Sequence, residues 1–155
     1  MSLPMNSLVL DQVDRQILAE LAQDGRVSFA ELGRRVSMSP PAVTERVRRL
    51  EQGGVITGYR AEIDPRALGY SLTAIVRIKP AVRQLSRIAE LAADIPQIEE
   101  CLRITGEDCF YMKLHLGSIE ELPSVLDRFL LYGETTTSIV NATPVARRDP
   151  PAVMP

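Results

Sequence analysis

Metal-binding side chains and long apolar runs are scarce in this chain of 155 residues, which has one histidine and two cysteines. So few imidazole and thiol groups argue against a zinc site, and we expect neither a metal nor a cofactor. No apolar run is long enough to span a bilayer, and the N-terminus lacks the charged-then-apolar layout of a signal peptide. We therefore expect a cytoplasmic protein with no membrane partner, in which Cys101 and Cys109 are reduced and buried.

An excess of basic residues is also absent, because 18 lysines and arginines face 20 aspartates and glutamates. A protein that coats nucleic acid with its whole surface would be basic, so that class is excluded. Any contact with nucleic acid must then come from a local patch. One arginine patch is present, and it consists of Arg34, Arg35, Arg46, Arg48 and Arg49.

The arginine patch falls within a segment, Ser28 to Ile56, that predicts two short helices joined by a tight turn. Ser28 and Glu31 match a capping box, in which side chain and backbone satisfy each other at a helix start. Ser39 suits the cap of the second helix, with Pro40 at its first position. Each helix has one apolar face, and the residues on these faces are Leu32, Val36, Val43, Val47 and Leu50.

The outer face of the second helix is polar and carries two residues that suit base recognition, Glu45 and Arg48. Arginine pairs with guanine, and glutamate accepts a hydrogen bond from cytosine N4. The pattern favours a helix-turn-helix that enters the major groove of DNA over a helical hairpin with a solvated basic face. In the predicted DNA-binding set, Thr44, Glu45 and Arg48 read bases, Arg34, Arg35 and Arg49 hold phosphates, and Ser39 and Pro41 begin the helix.

Flanking elements complete an N-terminal domain that we place at residues 1–63. A helix capped by Asp11 packs across the other two, since three helices are the smallest arrangement that buries all three apolar faces. Alternation from Val55 to Ile63 predicts a strand, which gives the domain a winged-helix-like form. Residues 64–70 follow as a hinge.

From Ser71 onward, alternating apolar runs and amphipathic segments predict a second domain at residues 71–155. The predicted order of its elements is β-α-β-β-α-β, the ferredoxin-like pattern, so the whole chain is of the α+β class. A capping box at Ser118 and Glu121 begins its second helix, and we expect a loose tail from Pro144. The strands are predicted at Ser71 to Lys79, Ile98 to Ile104, Phe110 to Leu116 and Thr135 to Thr143.

Both helices of such a domain cover one face of the sheet and leave the other face open. An apolar and an aromatic residue among charges there predict an interface, either with the DNA-binding domain or, more economically, with a second copy of the chain. The open-face residues are Thr73, Ile75, Arg77, Tyr111, Lys113 and His115. His115 fits this interface better than catalysis, because the sequence offers it no nucleophile, and nothing else supports an enzyme.

Taken together, these features resemble the Lrp/AsnC family of bacterial and archaeal transcription regulators, over nearly everything from Leu10 to Thr143. The matching motifs are LDQVDRQILAELAQDGRVSFAELGRRV, SPPAVTERVRRLEQGGVI, the ITG turn at Ile104 to Gly106, and TTTSIV at Thr135 to Val140. The resemblance implies a helix-turn-helix followed by a regulatory domain. In the family, that domain pairs chains into dimers, gathers dimers into octamers and binds an amino acid between dimers.

An amino-acid effector site is implied where a glycine turn with carboxylates approaches the threonine-rich last strand. Hydroxyl groups and backbone N–H groups would bind the ligand, and a carboxylate would pair with its ammonium group. Without the resemblance, a solvated acidic turn is the simpler interpretation. The implied effector-binding residues are Gly106, Glu107, Asp108, Cys109, Thr135, Thr136 and Thr137.

Cys109 departs from the family pattern, in which an acidic or small polar residue often occupies this position. Because cysteine lacks the charge of aspartate, we expect a ligand with a neutral or apolar side chain rather than a basic one. The alternative function is a ligand-independent, DNA-organising protein of the same architecture.

Overall fold

Residues 8–152 are described by the structure, which is a computed structural model. The helices are α1 (Gln12–Gln23), α2 (Phe29–Arg35), α3 (Pro40–Gln52), α4 (Leu85–Ala93) and α5 (Leu122–Leu126). The strands are β1 (Leu72–Pro80), β2 (Ile98–Arg103), β3 (Phe110–Leu116) and β4 (Gly133–Ile139). Short 3-10 turns at Pro65–Leu68 and Ile119–Glu121 precede β1 and α5.

The chain divides into two compact units. One comprises the chain up to Glu62 together with the segment from Arg147 onward, and the other comprises Ile63–Ala146. The division falls at the end of the predicted N-terminal domain and beside the predicted hinge. The tail differs from its predicted place in the second domain, because within the first unit Arg15 Nη1 donates to the Ala152 carbonyl oxygen at 3.0 Å.

Three helices enclose the core of the first unit, as their apolar spacing predicts. α1 begins with a complete capping box: Asp11 Oδ1 accepts from the Asp14 N–H at 2.8 Å, and Asp14 Oδ2 accepts from the Asp11 N–H at 3.1 Å. Each fully buried aliphatic side chain contributes about 1.5–3 kcal/mol, so this core holds the helices together. The buried apolar residues are Ile17, Leu32, Val36, Val43, Val47 and Leu50.

The starts of α2 and α3 differ from their predicted caps. Ser28 Oγ accepts from the Glu31 N–H at 3.2 Å, but the Glu31 carboxylate binds arginines one turn later and leaves the capping box half formed. Ser39 occupies the cap position of α3, yet its side chain makes no capping hydrogen bond. Pro40 begins the helix regardless, because its φ is already helical and it has no N–H group to satisfy.

The strand predicted from Val55 to Ile63 is wrong. Val55 and Ile56 instead lie in the turn that follows α3, where both of their N–H groups donate to the Leu50 carbonyl oxygen, at 2.9 and 3.2 Å. Residues 57–64 form neither helix nor strand. A strand needs a neighbour that pairs its backbone groups, and the described part of the first unit contains no strand.

A four-stranded antiparallel sheet forms the second unit, in the order β2-β3-β1-β4. With α4 after β1 and α5 after β3, this is the predicted ferredoxin-like arrangement. Both helices contribute to a single core on one face of the sheet. The residues buried there include Ala74, Val76, Ile78, Ile88, Leu91, Phe110, Met112, Leu114, Leu116, Val125 and Phe129.

The opposite face of the sheet carries the six residues predicted for it. The register aligns them in three cross-strand pairs, Thr73 with His115, Ile75 with Lys113, and Arg77 with Tyr111. The residues that alternate with them from Ala74 to Ile78 on β1 and along β3 are buried, whereas these six keep part of their surface exposed. Strand alternation therefore predicted this face correctly.

The capping box predicted at Ser118 and Glu121 is also wrong. Ser118 makes no capping hydrogen bond, and Glu121 Oε2 instead accepts from the Gly117 N–H at 3.3 Å. The chain enters α5 through the 3-10 turn Ile119–Glu121, so the two residues span that turn and not the first turn of an α-helix.

Candidate nucleic-acid interface and ligand site

The predicted DNA-binding residues all lie on the surface of the first unit. One side of α3 is fixed in the core by Val43, Val47 and Leu50, which are between 0 and 1 % exposed. The opposite side is turned to solvent, and α2 adds its own exposed arginines. The exposed set is Arg34, Arg35, Ser39, Pro41, Thr44, Glu45, Arg48 and Arg49.

Two of the three predicted base readers on α3, Glu45 and Arg48, bind each other. Arg48 Nε and Nη2 donate to the two carboxylate oxygens of Glu45, at 3.0 and 2.6 Å. The hydrogen bond from Arg48 lowers the pKa of Glu45 below its ordinary value, so Glu45 is a carboxylate at neutral pH. Thr44 Oγ1, beside the pair, donates to the Pro40 carbonyl oxygen at 2.8 Å.

The two predicted phosphate contacts on α2 share one carboxylate. Arg34 Nε donates to Glu31 at 3.0 Å and Arg35 Nε donates to it at 2.8 Å, while Arg35 Nη1 reaches Glu20 on α1 at 2.8 Å. Hydrogen bonds from Arg34 and then Arg35 lower the pKa of Glu31. All four side chains are at least 30 % exposed, so these are surface pairs that a phosphate group can replace at small cost.

A buried carboxylate holds the remaining two arginines of the patch. Asp14 is the one charged residue that is fully buried within residues 8–152. Its Oδ1 accepts from Arg46 Nη1 at 2.8 Å, and its Oδ2 accepts from Arg49 Nη2 at 2.6 Å. Arg46 Nη1 also donates to Asp11 Oδ2 at 2.6 Å. Asp14 was not among the predicted site residues, although its spacing from Asp11 marks a helix start.

The predicted effector turn is the connection between β2 and β3. The Ile104 N–H donates to the Cys109 carbonyl oxygen at 2.8 Å and closes the turn. Gly106 adopts a φ of +111°, a left-handed conformation that favours glycine. Cys109 Sγ donates to the Gly106 carbonyl oxygen at 3.4 Å, so the thiol supports the turn from within.

Both carboxylates of the turn are paired with cations of β1. Asp108 Oδ2 lies 3.3 Å from Arg77 Nη1, and Glu107 Oε2 lies 3.0 Å from Lys79 Nζ. The hydrogen bond to Glu107 raises the pKa of Lys79. Arg77 and Lys79 were not among the predicted effector residues, although strand alternation puts both on one face of β1.

The threonine run of β4 is divided between the two faces of the sheet. Thr136 pairs with Arg77 and therefore shares the open face with Asp108. Thr135 and Thr137 pair with Ile78 and Val76, on the helix-covered face. Thr137 Oγ1 is buried and has no hydrogen-bond partner within the described residues. Within one chain, Thr136 therefore lies on the same face of the sheet as the Arg77–Asp108 pair, and the other two threonines lie on the opposite face.

A groove of about 740 Å³ lies elsewhere in the second unit, between α4 and β2. Leu85, Ala89, Cys101 and Phe110 contribute to its apolar lining, and burial raises the pKa of the Cys101 thiol. None of the seven predicted effector residues lines this groove. The groove and the predicted effector turn are therefore separate features of the second unit.

His115 belongs to a hydrogen-bonded cluster on the open face of the sheet. Its Nδ1 lies 3.0 Å from Thr73 Oγ1, and its Nε2 lies 3.0 Å from a Glu99 oxygen that also binds Lys113 Nζ at 2.8 Å. Both ring nitrogens are thus engaged, which agrees with an interface role. No helix within residues 8–152 has the length and hydropathy needed to cross a membrane.

Comparison with known proteins gives matches over both units. Residues 10–51 match the AsnC-type helix-turn-helix domain, and residues 73–150 match the Lrp/AsnC ligand binding domain. The HTH-type transcriptional regulator LrpC of Bacillus subtilis is 37% identical over 131 residues, which cover 84% of this chain and 91% of LrpC.

Solved structures are also similar to this chain over most of its length. The structure of B. subtilis LrpC has a TM-score of 0.83 and 36% identity, covering 89% of this chain and 99% of that one. The feast or famine regulatory protein of M. tuberculosis complexed with L-methionine has a TM-score of 0.81 and 33% identity, covering 92% and 99%. This chain therefore belongs to the Lrp/AsnC family and is a transcription regulator with a DNA-binding helix-turn-helix domain and a ligand-binding domain.

Proposed function

We propose that this regulator binds specific duplex sites through α3 and that an amino acid, as a small-molecule effector, modulates its assembly or its DNA binding. The observation that carries the first part is the outer face of α3, where Glu45 and Arg48 form an exposed pair on a helix fixed by its opposite face. A rigid helix with such a face suits the major groove. Binding to chromosomal DNA implies a cytoplasmic location.

Within this proposal, residues of α3 read bases and arginines hold the backbone. Arg48 pairs with guanine, Glu45 accepts from cytosine N4, and Thr44 contacts a neighbouring base. Ser39 and Pro41 bring the start of the helix to the groove. Arg34, Arg35 and Arg49 hold phosphates, which set the register of the helix on the duplex but carry no sequence information.

Two alanine variants test this division of roles. Arg48→Ala should weaken binding to the preferred duplex by roughly tenfold to a hundredfold and reduce discrimination against a scrambled duplex. Arg35→Ala should weaken binding to both duplexes alike, because a phosphate contact is independent of sequence. Both are measured at one fixed salt concentration, since salt changes the affinity of every phosphate contact. Equal affinity of the wild-type protein for both duplexes contradicts sequence reading.

We also propose that chains pair through the open face of the sheet and that pairs assemble further, up to octamers. The support is a face with Ile75 and Tyr111 among charged groups, which a second identical face can cover around a two-fold axis. Two-fold pairing presents two copies of α3 to one duplex. Operators should then be imperfect palindromes whose half-sites are about one helical turn, or a multiple of it, apart.

For the effector, the turn at residues 106–109 offers paired charges that a zwitterion can separate. The ligand's ammonium group would bind Asp108, and its carboxylate would bind Arg77, so both partners of the present ion pair stay satisfied. Gly106 allows close approach of the backbone, and Thr136 adds a hydroxyl on the same face. Cys109 and Glu107 border the site, while Thr135 and Thr137 complete it only if a neighbouring chain supplies them.

Calorimetric titration with a panel of amino acids tests the effector site. We expect heat from one or more neutral amino acids, lost in Asp108→Ala and retained in Asp94→Ala, which removes a carboxylate at the end of α4. Thr136→Ala should weaken binding more than Thr137→Ala if the open face of one chain forms the site. Absence of heat from every amino acid leaves the ligand-independent DNA-organising protein as the better function.

That second function has one specific observation in its favour. Glu107 and Asp108 already have cationic partners within the chain, so the turn is stable without a ligand. A protein of this type would bind many duplexes with similar affinity, and no amino acid would change its assembly. The titration and the comparison of duplexes therefore separate the two functions.

A further inference from the structure

Asp14 is buried at the first turn of α1, yet its side chain binds residues of α3. Both of its carboxylate oxygens bind arginines of α3, at 2.8 Å to Arg46 and 2.6 Å to Arg49. Burying a carboxylate is costly, and matching cations and hydrogen bonds must offset that cost. In other proteins an apolar replacement of such an ion pair is often neutral or stabilising, so stability alone does not explain why this position holds a charge.

The two arginines remain partly open to solvent. The side chain of Arg46 is 27 % exposed and that of Arg49 is 44 % exposed, whereas Asp14 is 0 % exposed. A guanidinium group has five N–H donors in a fixed plane. Arg46 gives Nη1 to Asp14 and Asp11, and Arg49 gives Nη2 to Asp14. Their other donors are therefore held in defined directions beside the exposed face of α3.

We propose that Asp14 is a positioning residue for DNA binding, which holds Arg46 and Arg49 so that their free N–H groups meet phosphates of the duplex. This rests on the proposed contact between α3 and DNA. A guanidinium that is already oriented loses less conformational freedom on binding than a free one, so the contact is tighter. Arg46, which the sequence analysis left outside the DNA-binding set, joins that set.

The direction in which Asp14→Asn changes the affinity for DNA distinguishes this positioning role from an effect of overall charge. Asp14→Asn removes a negative charge from the DNA-binding unit, and overall charge alone predicts tighter binding to DNA. Loss of positioning predicts weaker binding, because Arg49 loses its carboxylate partner and Arg46 keeps only Asp11. Asn keeps a side-chain oxygen that can accept from the Asp11 N–H at the start of α1.

The matched control is Asp24→Asn, the same chemical change in the same unit. Asp24 is exposed, and its carboxylate accepts from the backbone N–H of Arg26 at 2.9 Å rather than from an arginine side chain. We expect Asp14→Asn to weaken binding to specific and scrambled duplexes by about tenfold and to reduce the slope of log affinity against log salt by about one to two. Asp24→Asn should leave both quantities unchanged or bind slightly more tightly.

Repeating Asp14→Asn in a variant that already lacks both arginines distinguishes positioning from a general loss of structure. In a chain with Arg46→Gln and Arg49→Gln, adding Asp14→Asn should cause no further loss of affinity. An unfolded or distorted domain would lose the same factor in both backgrounds. Unchanged or tighter binding of the Asp14→Asn single variant, or an equal loss in both backgrounds, overturns the proposal.

If Asp14→Asn does not fold, Arg46→Lys with Arg49→Lys replaces it. Lysine keeps the charge but lacks the planar fork, so affinity should fall by a similar factor while circular dichroism stays native. Wild-type affinity of this variant overturns the proposal. Failure of the wild-type chain to prefer its specific duplex is a different result, and it removes the proposed function itself.

Discussion

At the scale of single residues, each arginine of the patch has a carboxylate partner. Arg34 and Arg35 share Glu31, and Arg46 and Arg49 share Asp14. Arg48 binds Glu45. Composition and spacing reveal the arginines, but partners such as Asp14 and Glu20 come from another helix and depend on how the helices pack. DNA binding through Arg34 and Arg35 must therefore replace their surface pairs with Glu31, whereas the proposed role of Asp14 leaves the pairs of Arg46 and Arg49 in place.

Glu99 provides a pH-dependent prediction at the same scale. A hydrogen bond from Lys113, and then one from His115, lower its pKa below the ordinary value of 4.5. A carboxylate with a lowered pKa stabilises the folded chain above pH 4.5, and this contribution is lost as the pH falls through the lowered pKa. Glu99→Gln should therefore reduce Tm at pH 7 and reduce it less at pH 3.

Thermal unfolding of wild type and variant at both pH values checks this. Glu100→Gln is the matched control. Glu100 is next to Glu99 in the sequence, but the structure shows no ion pair for it within the described residues. An equal decrease in Tm at pH 7 and pH 3 for Glu99→Gln would contradict the prediction, since it would point to lost packing and not to lost charge.

At the scale of elements, the helix-turn-helix depends on a close contact inside its turn. Gly33 is buried in α2, and a Cβ atom added there would lie 2.6 Å from the Met38 carbonyl oxygen. Alanine normally stabilises a helix interior by about 1 kcal/mol relative to glycine. Here Gly33→Ala should instead lower the free energy of unfolding by about 1–3 kcal/mol, because the backbone of the turn must move.

Urea unfolding measures that change, and Gly25→Ala serves as the control. An added Cβ at Gly25 would meet its nearest atom at 3.7 Å, an ordinary contact, so we expect a change near zero. A Gly33→Ala variant as stable as wild type would mean that the turn adapts without strain, contrary to the prediction.

Helices and strands of this chain were predictable where the pattern is local. The three helices of the first unit and the order of elements in the second follow from apolar spacing, and the structure confirms them. Ser39 occupies its predicted cap position before Pro40 but makes no capping hydrogen bond, and the capping box at Ser118 was wrong because a 3-10 turn precedes that helix. The strand at Val55 failed since alternation cannot reveal whether a partner strand is present.

At the scale of the whole molecule, the open sheet face leads to a prediction about assembly. Ile75→Asp places a charge in the middle of this face and should shift the protein from dimers or larger assemblies toward monomers, while circular dichroism stays native. Val82→Asp, at an 85% exposed valine outside the sheet, is the matched control. Light scattering at micromolar concentration gives the result, and a monomeric wild-type protein would contradict paired sheets.

The candidate ligand site was the less predictable part of the molecule. Its turn was predicted from the family resemblance and from Gly106 followed by two carboxylates, but the partners Arg77 and Lys79 become visible only when β1 and β3 are paired. Strand alternation alone separates Thr136 from Thr135 and Thr137, as the register of β4 confirms. What a neighbouring chain adds is not encoded in any local pattern.

The internal pairing of the arginine patch also bears on how such a regulator partitions over a chromosome. Random sequence offers about 10⁶–10⁹ competing sites, and long-range attraction to them grows with the number of unpaired cations. The exposed arginines Arg34, Arg35 and Arg48 are neutralised at rest by Glu31 and Glu45, so they add little to retention by these decoys. A larger share of the molecules stays free to search, and occupancy of a true operator then depends on the groove contacts that open the pairs.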